Sequence, residues 1–225
     1  MIHLGPFHGR NTHYTRHWIP SNGHILTGEN EVILLKTLAA CRVLSRNQMA
    51  ELTGLNVRHS VTGLVKKGFL DEYRSDGAPP LYTLGVAGAR VVKKRHSLYR
   101  TDELLRVTAA NQLWIKMKKV WPGAAWDLEG SYPALLNGEQ RFLVVAPRLI
   151  QGDNIYTLRA FNYIENKHRL FVVATSREHA LEIARQSIPT NFVRYTWDAL
   201  LKEGILFYLL EKQDLVPDTR FNPGS

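Results

Sequence analysis

The sequence predicts an α+β fold in two parts: a small helical domain closed by a β-hairpin and, beyond a long helix, a small α/β domain with a mixed sheet. Three observations predict this. In residues 44–70, LSRNQMAELTGLNVRHSVTGLVKKGFL, apolar positions recur at helical spacing on either side of a glycine. Residues 69–74 and 81–84 then form strand-like runs around SDGAPP, a turn-forming stretch with Asp76-Gly77 at its centre. From Trp121-Pro122-Gly123 onward, short β-branched and aromatic runs alternate with helical segments, the pattern of a sheet flanked by helices. The order implies an arm over residues 1–28, a hairpin-closed domain over 29–98, a connecting helix over 99–121 and an α/β domain over 122–225.

Of the 225 residues, 44% are hydrophobic, enough for one large or two modest cores. Net charge is +9 and unevenly placed: residues 1–120 hold +10, whereas residues 121–225 hold −1. Local cationic excess attracts phosphate, so the basic half favours a nucleic-acid partner whose binding weakens with salt. A basic membrane-surface helix fits less well, because the cations do not lie opposite a broad apolar stripe. No apolar stretch reaches the length of a membrane span. The single cysteine, Cys41, lies in an apolar helical run and reads as a small core residue in a reducing compartment. The N-terminus is polar and rich in Gly and His, unlike a secretion signal, so a cytoplasmic protein is expected.

Residues 1–28 have no sustained period and carry His3, His8, His13, His17 and His24 with Arg10, Tyr14, Arg16 and Trp18. They read either as an arm touching DNA or as a terminal extension packed through Trp18 and Ile19. The histidine spacing matches no compact metal-ligand set. Residues 29–43 form a first buried helix through Val32, Leu35, Leu38 and Ala39. Ser45 caps the next helix, Gly54 ends it and Asn56 caps the third. In that third helix Val57, Val61, Leu64 and Val65 share one face, while Arg58, His59, Thr62 and Lys66 share the other, with Lys67 beside them. Gly68 breaks it. After the hairpin, residues 85–95 form a short helix ending in KKR, whose cations either favour the helix dipole or lie along a phosphate track.

Residues 101–121 make the longest helix, capped by Thr101 with Asp102 and Glu103 in its first turn. Val107, Ala110, Trp114, Met117 and Trp121 follow alternating spacings of three and four. That stripe is either a homodimer seam or a surface packed within the same chain. In the α/β domain, strands are expected over 132–136, 141–146, 170–174, 192–195 and 205–210, with Asn137-Gly138 as a hairpin turn. Helices are expected over 153–166, 176–187 and 197–203, the second capped by Ser176.

Two helices, a tight turn and a hairpin, with the ending LVKKGFL, resemble winged-helix DNA-binding domains over residues 30–95. The resemblance implies double-stranded DNA as partner, with the helix over 56–67 in the major groove. Asn56 would open that helix, Arg58, His59 and Thr62 would read bases, and Arg46, Lys66, Lys67 and Arg74 would hold phosphates. The order of parts over residues 30–210 resembles the replication-relaxation family of plasmid and mobile-element proteins. The stretches that carry it are the helices and hairpin, the helix around residues 113–120, Asn137-Gly138, RLFVVATSREHALEIAR and FVRYTWDALLKEGILFYL. Members join an N-terminal winged helix to a domain shaped like a restriction endonuclease.

What this resemblance implies is a sequence-specific regulator of transcription on a mobile element, phage or plasmid. The alternative is a DNA-processing accessory or metal-dependent nuclease in plasmid replication or mobilisation. Such nucleases hold a divalent metal with an Asp and with an acid two residues before a Lys. Asp127 is a candidate first ligand, but Glu129 lies too close to it to be the second. Glu139-Gln140-Arg141 offers Arg for Lys, and sits at the turn. The strand RFLVVAPR contains no acid. Gly-rich phosphate loops, H-E-x-x-H and G-x-S-x-G are absent. The expectation is therefore a non-enzyme without metal or cofactor, its second domain a dimerisation or partner platform. His168 and His179 stand alone and read as structural; Phe161, Tyr163, Phe207 and Tyr208 read as core.

Overall fold

The computed structural model of the chain describes residues 7–9, 12–20, 23, 28–128, 130, 132–162, 169–186 and 192–219. The described residues form an α+β structure with eight helices, a four-stranded sheet and a seven-stranded sheet. The chain divides into two compact units: residues 11–111, and residues 112–225 together with the first ten.

The first unit holds β1 (Thr15–His17), α1 (Glu29–Cys41), β2 (Leu44–Ser45), α2 (Arg46–Thr53), α3 (Arg58–Lys66), β3 (Leu70–Ser75), β4 (Ala78–Leu84), α4 (Val86–Val91) and the start of α5 (Thr101–Val120). Helix α1 buries Leu34, Leu35, Leu38 and Cys41, while Val32 and Ala39 of the expected face are only half-buried. Arg42 follows at φ 62°, and the Asn111 side-chain amide donates to the carbonyls on both sides of it, Cys41 at 2.9 Å and Val43 at 2.7 Å. Helix α2 starts in a reciprocal cap: Ser45 Oγ accepts from the Gln48 amide, and Gln48 Oε1 accepts from the Ser45 amide. Gly54, at φ 71°, ends it in the left-handed conformation that a residue without Cβ adopts freely.

The four-stranded sheet runs β1-β3-β4-β2, with β3 and β4 joined by a turn whose Gly77 has φ 77°. Strand β1 comes from the arm and was not expected. It pairs antiparallel with β3, placing Thr15 opposite Arg74 and His17 opposite Glu72. Trp18 and Ile19, expected to pack, are 55% and 42% exposed. Tyr14 holds the arm instead: its amide donates to Thr101 Oγ1 and its hydroxyl to the Pro79 carbonyl. Burial pushes that hydroxyl up to about 12.

One expectation for α5 is corrected. Thr101 is the first helical residue and not the cap; the free Arg100 amide is taken by the Glu103 carboxylate at 2.9 Å. Of the two readings of the α5 stripe, packing within the chain fits better: Ala110, Trp114 and Met117 are buried and Val107 and Trp121 half-buried.

The second unit contains the remainder of α5, then β5 (Ala125–Asp127), β6 (Ala134–Asn137), β7 (Gln140–Val145), α6 (Asp153–Phe161), β8 (Arg169–Ala174), α7 (Arg177–Arg185), β9 (Val193–Trp197), α8 (Asp198–Glu203), β10 (Tyr208–Glu211) and β11 (Asp214–Pro217). The strands lie in sequence order across one mixed sheet. Strands β5 to β7 and β9 to β11 pair antiparallel; β7, β8 and β9 pair parallel, with α6 and α7 as crossovers. One face packs Leu143, Val145, Val172 and Tyr195 against Ala160 of α6 and Ala180, Ile183 and Ala184 of α7. Elsewhere in the sheet Phe142 stacks on Phe171 at 4.8 Å and Phe171 on Phe207 at 4.7 Å. A strand buried on both faces must be apolar throughout, which explains the run RLFVVA in β8. The short edge strands β5 and β11 were not expected, and β10 begins at Tyr208, not at residue 205. Helix α6 ends at Phe161; residues 163–166 of the longer helix expected there, Tyr163 included, lie outside the described residues. No helix among the described residues is long and apolar enough to cross a membrane.

Candidate nucleic-acid interface

Helix α3 is anchored by Val57, Val61 and Leu64, which are buried. Its opposite side carries Arg58, His59, Thr62 and Lys66, all exposed. Asn56 is exposed ahead of the helix, which begins at Arg58; its Oδ1 accepts from the Arg58 amide at 3.4 Å. The Thr62 hydroxyl donates to the Arg58 carbonyl at 2.9 Å, leaving its oxygen free to accept. Gly63 borders this face, and a Cβ there would meet nothing within 4 Å. No internal packing calls for a glycine at a helical position where alanine is better tolerated.

Three of the expected phosphate holders have partners within the protein itself. Lys67 pairs with Glu31 of α1 at 3.2 Å. Arg46 lies over the Tyr82 ring at 5.7 Å and donates to its hydroxyl at 3.0 Å. That hydroxyl in turn donates to Glu72, whose other oxygen accepts from Arg74 at 2.9 and 2.6 Å. Burial and the Glu72 charge push the Tyr82 hydroxyl up to about 12, so it stays a donor. The cause is the buried Glu72: a carboxylate on an inner strand must be paired, which Arg74 does directly and Arg46 through the Tyr82 hydroxyl. On the neighbouring strand position, Asp71 is likewise paired, with Arg16 at 2.7 Å and His96 at 3.0 Å. Arg58, His59, Thr62 and Lys66 thus stand together on one helix face, while Arg46, Lys67 and Arg74 each have a partner within the protein.

Of the candidate acids of the second unit, those among the described residues form no metal-ligand set. Asp127 on β5 pairs with Arg141 on β7 at 2.9 Å. Glu129 lies outside the described residues. Among the described residues no group of three or more His, Cys, Asp and Glu side chains is placed to hold a metal ion.

Sequence reasoning missed a buried charged cluster at the carboxyl ends of β7, β8 and β9, the edge where open α/β sheets bind ligands. Arg148 is fully buried; its Nη1 donates to both Asp198 oxygens at 2.9 Å, its Nε to the Pro147 carbonyl and its Nη2 to the Val173 carbonyl. One Asp153 oxygen accepts from the Arg148 and Ile150 amides at 2.6 and 3.0 Å, closing the loop around Leu149 at φ 60°. His179 accepts at Nδ1 from the Thr175 hydroxyl at 3.0 Å. Burial, and then the Arg148 charge, push its imidazole down to about 4. The guanidinium bonds only to the protein, so the cluster ties three strand ends together and presents no charge outward. The one sequence signal was an arginine directly after the apolar run RFLVVAP.

Comparison of the chain with protein-family models, with curated proteins and with solved structures finds no match in any of the three.

Proposed function

We propose that the protein binds double-stranded DNA sequence-specifically, as a regulator of transcription on a mobile element, phage or plasmid. One observation carries the reading: an exposed α3 face of Arg58, His59, Thr62 and Lys66 on a helix fixed by a buried apolar stripe. Such a face suits the major groove, where an Arg fork matches guanine O6 and N7. The succession of α1, α2, α3 and the β3–β4 hairpin supports a winged-helix assignment for the first unit. The basic excess of residues 1–120 supplies the phosphate attraction. Base reading falls to Arg58, His59 and Thr62; Lys66 holds a phosphate. The second unit acts as a partner or dimerisation platform, since Asp127, the candidate metal ligand, is held by Arg141.

The test is a gel-shift series on DNA selected from a random pool. Arg58→Ala relaxes the preference at one base pair, worth about 1–3 kcal/mol of discrimination. Lys66→Ala weakens all sequences alike and lowers the salt slope by about 0.9. Identical behaviour of the two variants would refute the division of roles, and no enrichment of any sequence would refute DNA reading itself.

A further inference from the structure

Helix α4 ends in a Schellman arrangement: the Lys94 amide donates to the Ala89 carbonyl at 2.9 Å and the Lys93 amide to the Arg90 carbonyl at 3.2 Å. The residue in the left-handed position is Lys93, at φ 53°. Glycine is the usual occupant, because a Cβ there crowds the backbone. A lysine in that place breaks a local rule with no packing gain, since Lys93 is exposed. It belongs to a run of four exposed cations, Arg90, Lys93, Lys94 and Arg95. Helix-end electrostatics accounts for Arg90 at most, because the dipole acts only within the last turn and α4 ends at Val91.

Like Lys36, Arg42, Arg58 and Lys66 of the same unit, the run has no carboxylate partner among the described residues. Arg16, Lys67, Arg74, Arg100 and Arg106 each have one. The segment is also held at both ends. The Schellman bonds fix its start, and beyond its end His96 binds Asp71 on β3 and the Tyr99 amide donates to the Tyr73 hydroxyl. Four uncompensated cations on a braced stretch beside the strand that follows α3 call for a ligand with repeated negative charge.

We propose that residues 90–95 form a second phosphate-contacting segment that grips the backbone of duplex DNA outside the sequence read by α3. This rests on the DNA-binding reading above and adds to it a non-specific anchor. Backbone phosphates fit better than an anionic membrane surface, because Val86, Val91 and Leu98 are the exposed large apolar side chains near the run, too few for the broad apolar stripe of a membrane-surface helix.

The experiment uses the full chain and a random-sequence duplex of about three helical turns, with affinity measured by fluorescence anisotropy across a salt series. Lys93→Gly raises the melting temperature and yet lowers the slope of log affinity against log salt by about 0.9. Replacing Arg90, Lys93, Lys94 and Arg95 together by Gln lowers the slope by about 3.6, with the ranking of selected sequences unchanged. A slope equal to that of the unaltered protein in both variants overturns the anchor while α3 reading stands. Loss of binding to phosphatidylserine vesicles with an unaltered DNA slope overturns it in favour of a membrane. If the unaltered protein has no affinity for DNA, the anchor and the reading it rests on fall together.

Discussion

At the scale of single residues, Arg148 and Asp198 show what a buried charge demands. The side chains are 0% and 5% exposed, with two Nη1–carboxylate contacts of 2.9 Å. Desolvation of both ions consumes most of their attraction, so the pair adds little net stability compared with an apolar pair of similar volume. Removing one partner is different, because the other stays buried and unpaired. Asp198→Asn is therefore expected to lower unfolding free energy by about 3–5 kcal/mol in urea titrations. The double variant Arg148→Met, Asp198→Leu is expected to lose much less. Equal losses in both would show that packing around the pair, and not its charge balance, sets the cost.

At the scale of elements, α3 places its inner face by apolar spacing and leaves a glycine where its own stability gains nothing. Gly63 sits in open space, and glycine within a helix costs about 0.5–1 kcal/mol relative to alanine. Gly63→Ala should raise unfolding free energy by that amount in the same titrations. If α3 enters a groove, the added methyl also weakens binding to selected DNA, because the glycine then serves close approach of a backbone. A variant both more stable and equally tight in binding would remove Gly63 from the interface. The β3–β4 hairpin behaves differently from what its charges suggested. Arg74 on the hairpin and Arg16 on the neighbouring β1 pair with its buried carboxylates, and Arg46 is taken by the Tyr82 hydroxyl, so its exposed surface is less basic than its sequence.

At the scale of the molecule, acid stability is linked to one imidazole. His179 has a folded value near 4, below its ordinary 6.5, through burial first and Arg148 second. The unfolded chain therefore binds the proton more tightly. Stability from this group is complete above about 6.5 and is lost as pH falls toward about 4, by at most about 3 kcal/mol. Urea unfolding at stepped pH between those limits should show a steeper decline for the unaltered protein than for His179→Gln. Parallel declines would assign acid lability to the carboxylates alone.

Local chemistry made several elements legible in the sequence. Ser45, Gly54, Asp76-Gly77 and Asn137-Gly138 each act within a few residues, so those helix ends and turns fell where they were expected. The outer face of α3 was legible for the same reason, since spacing alone separates Arg58 from Val61. Which basic residues are left for a partner was not. Glu31 reaches Lys67 across 36 positions, and Tyr82 reaches Arg46 across another 36. The arm's pairing with β3 and the Arg148 cluster likewise join residues far apart in the chain. Hydrophobic period and local turn chemistry act along the backbone, so the sequence by itself determined the α+β class, most helix positions and the outer face of α3, but not every cap or buried face. Charge pairing requires buried carboxylates to take the nearest cation in space, and only the tertiary structure decided which cation that is.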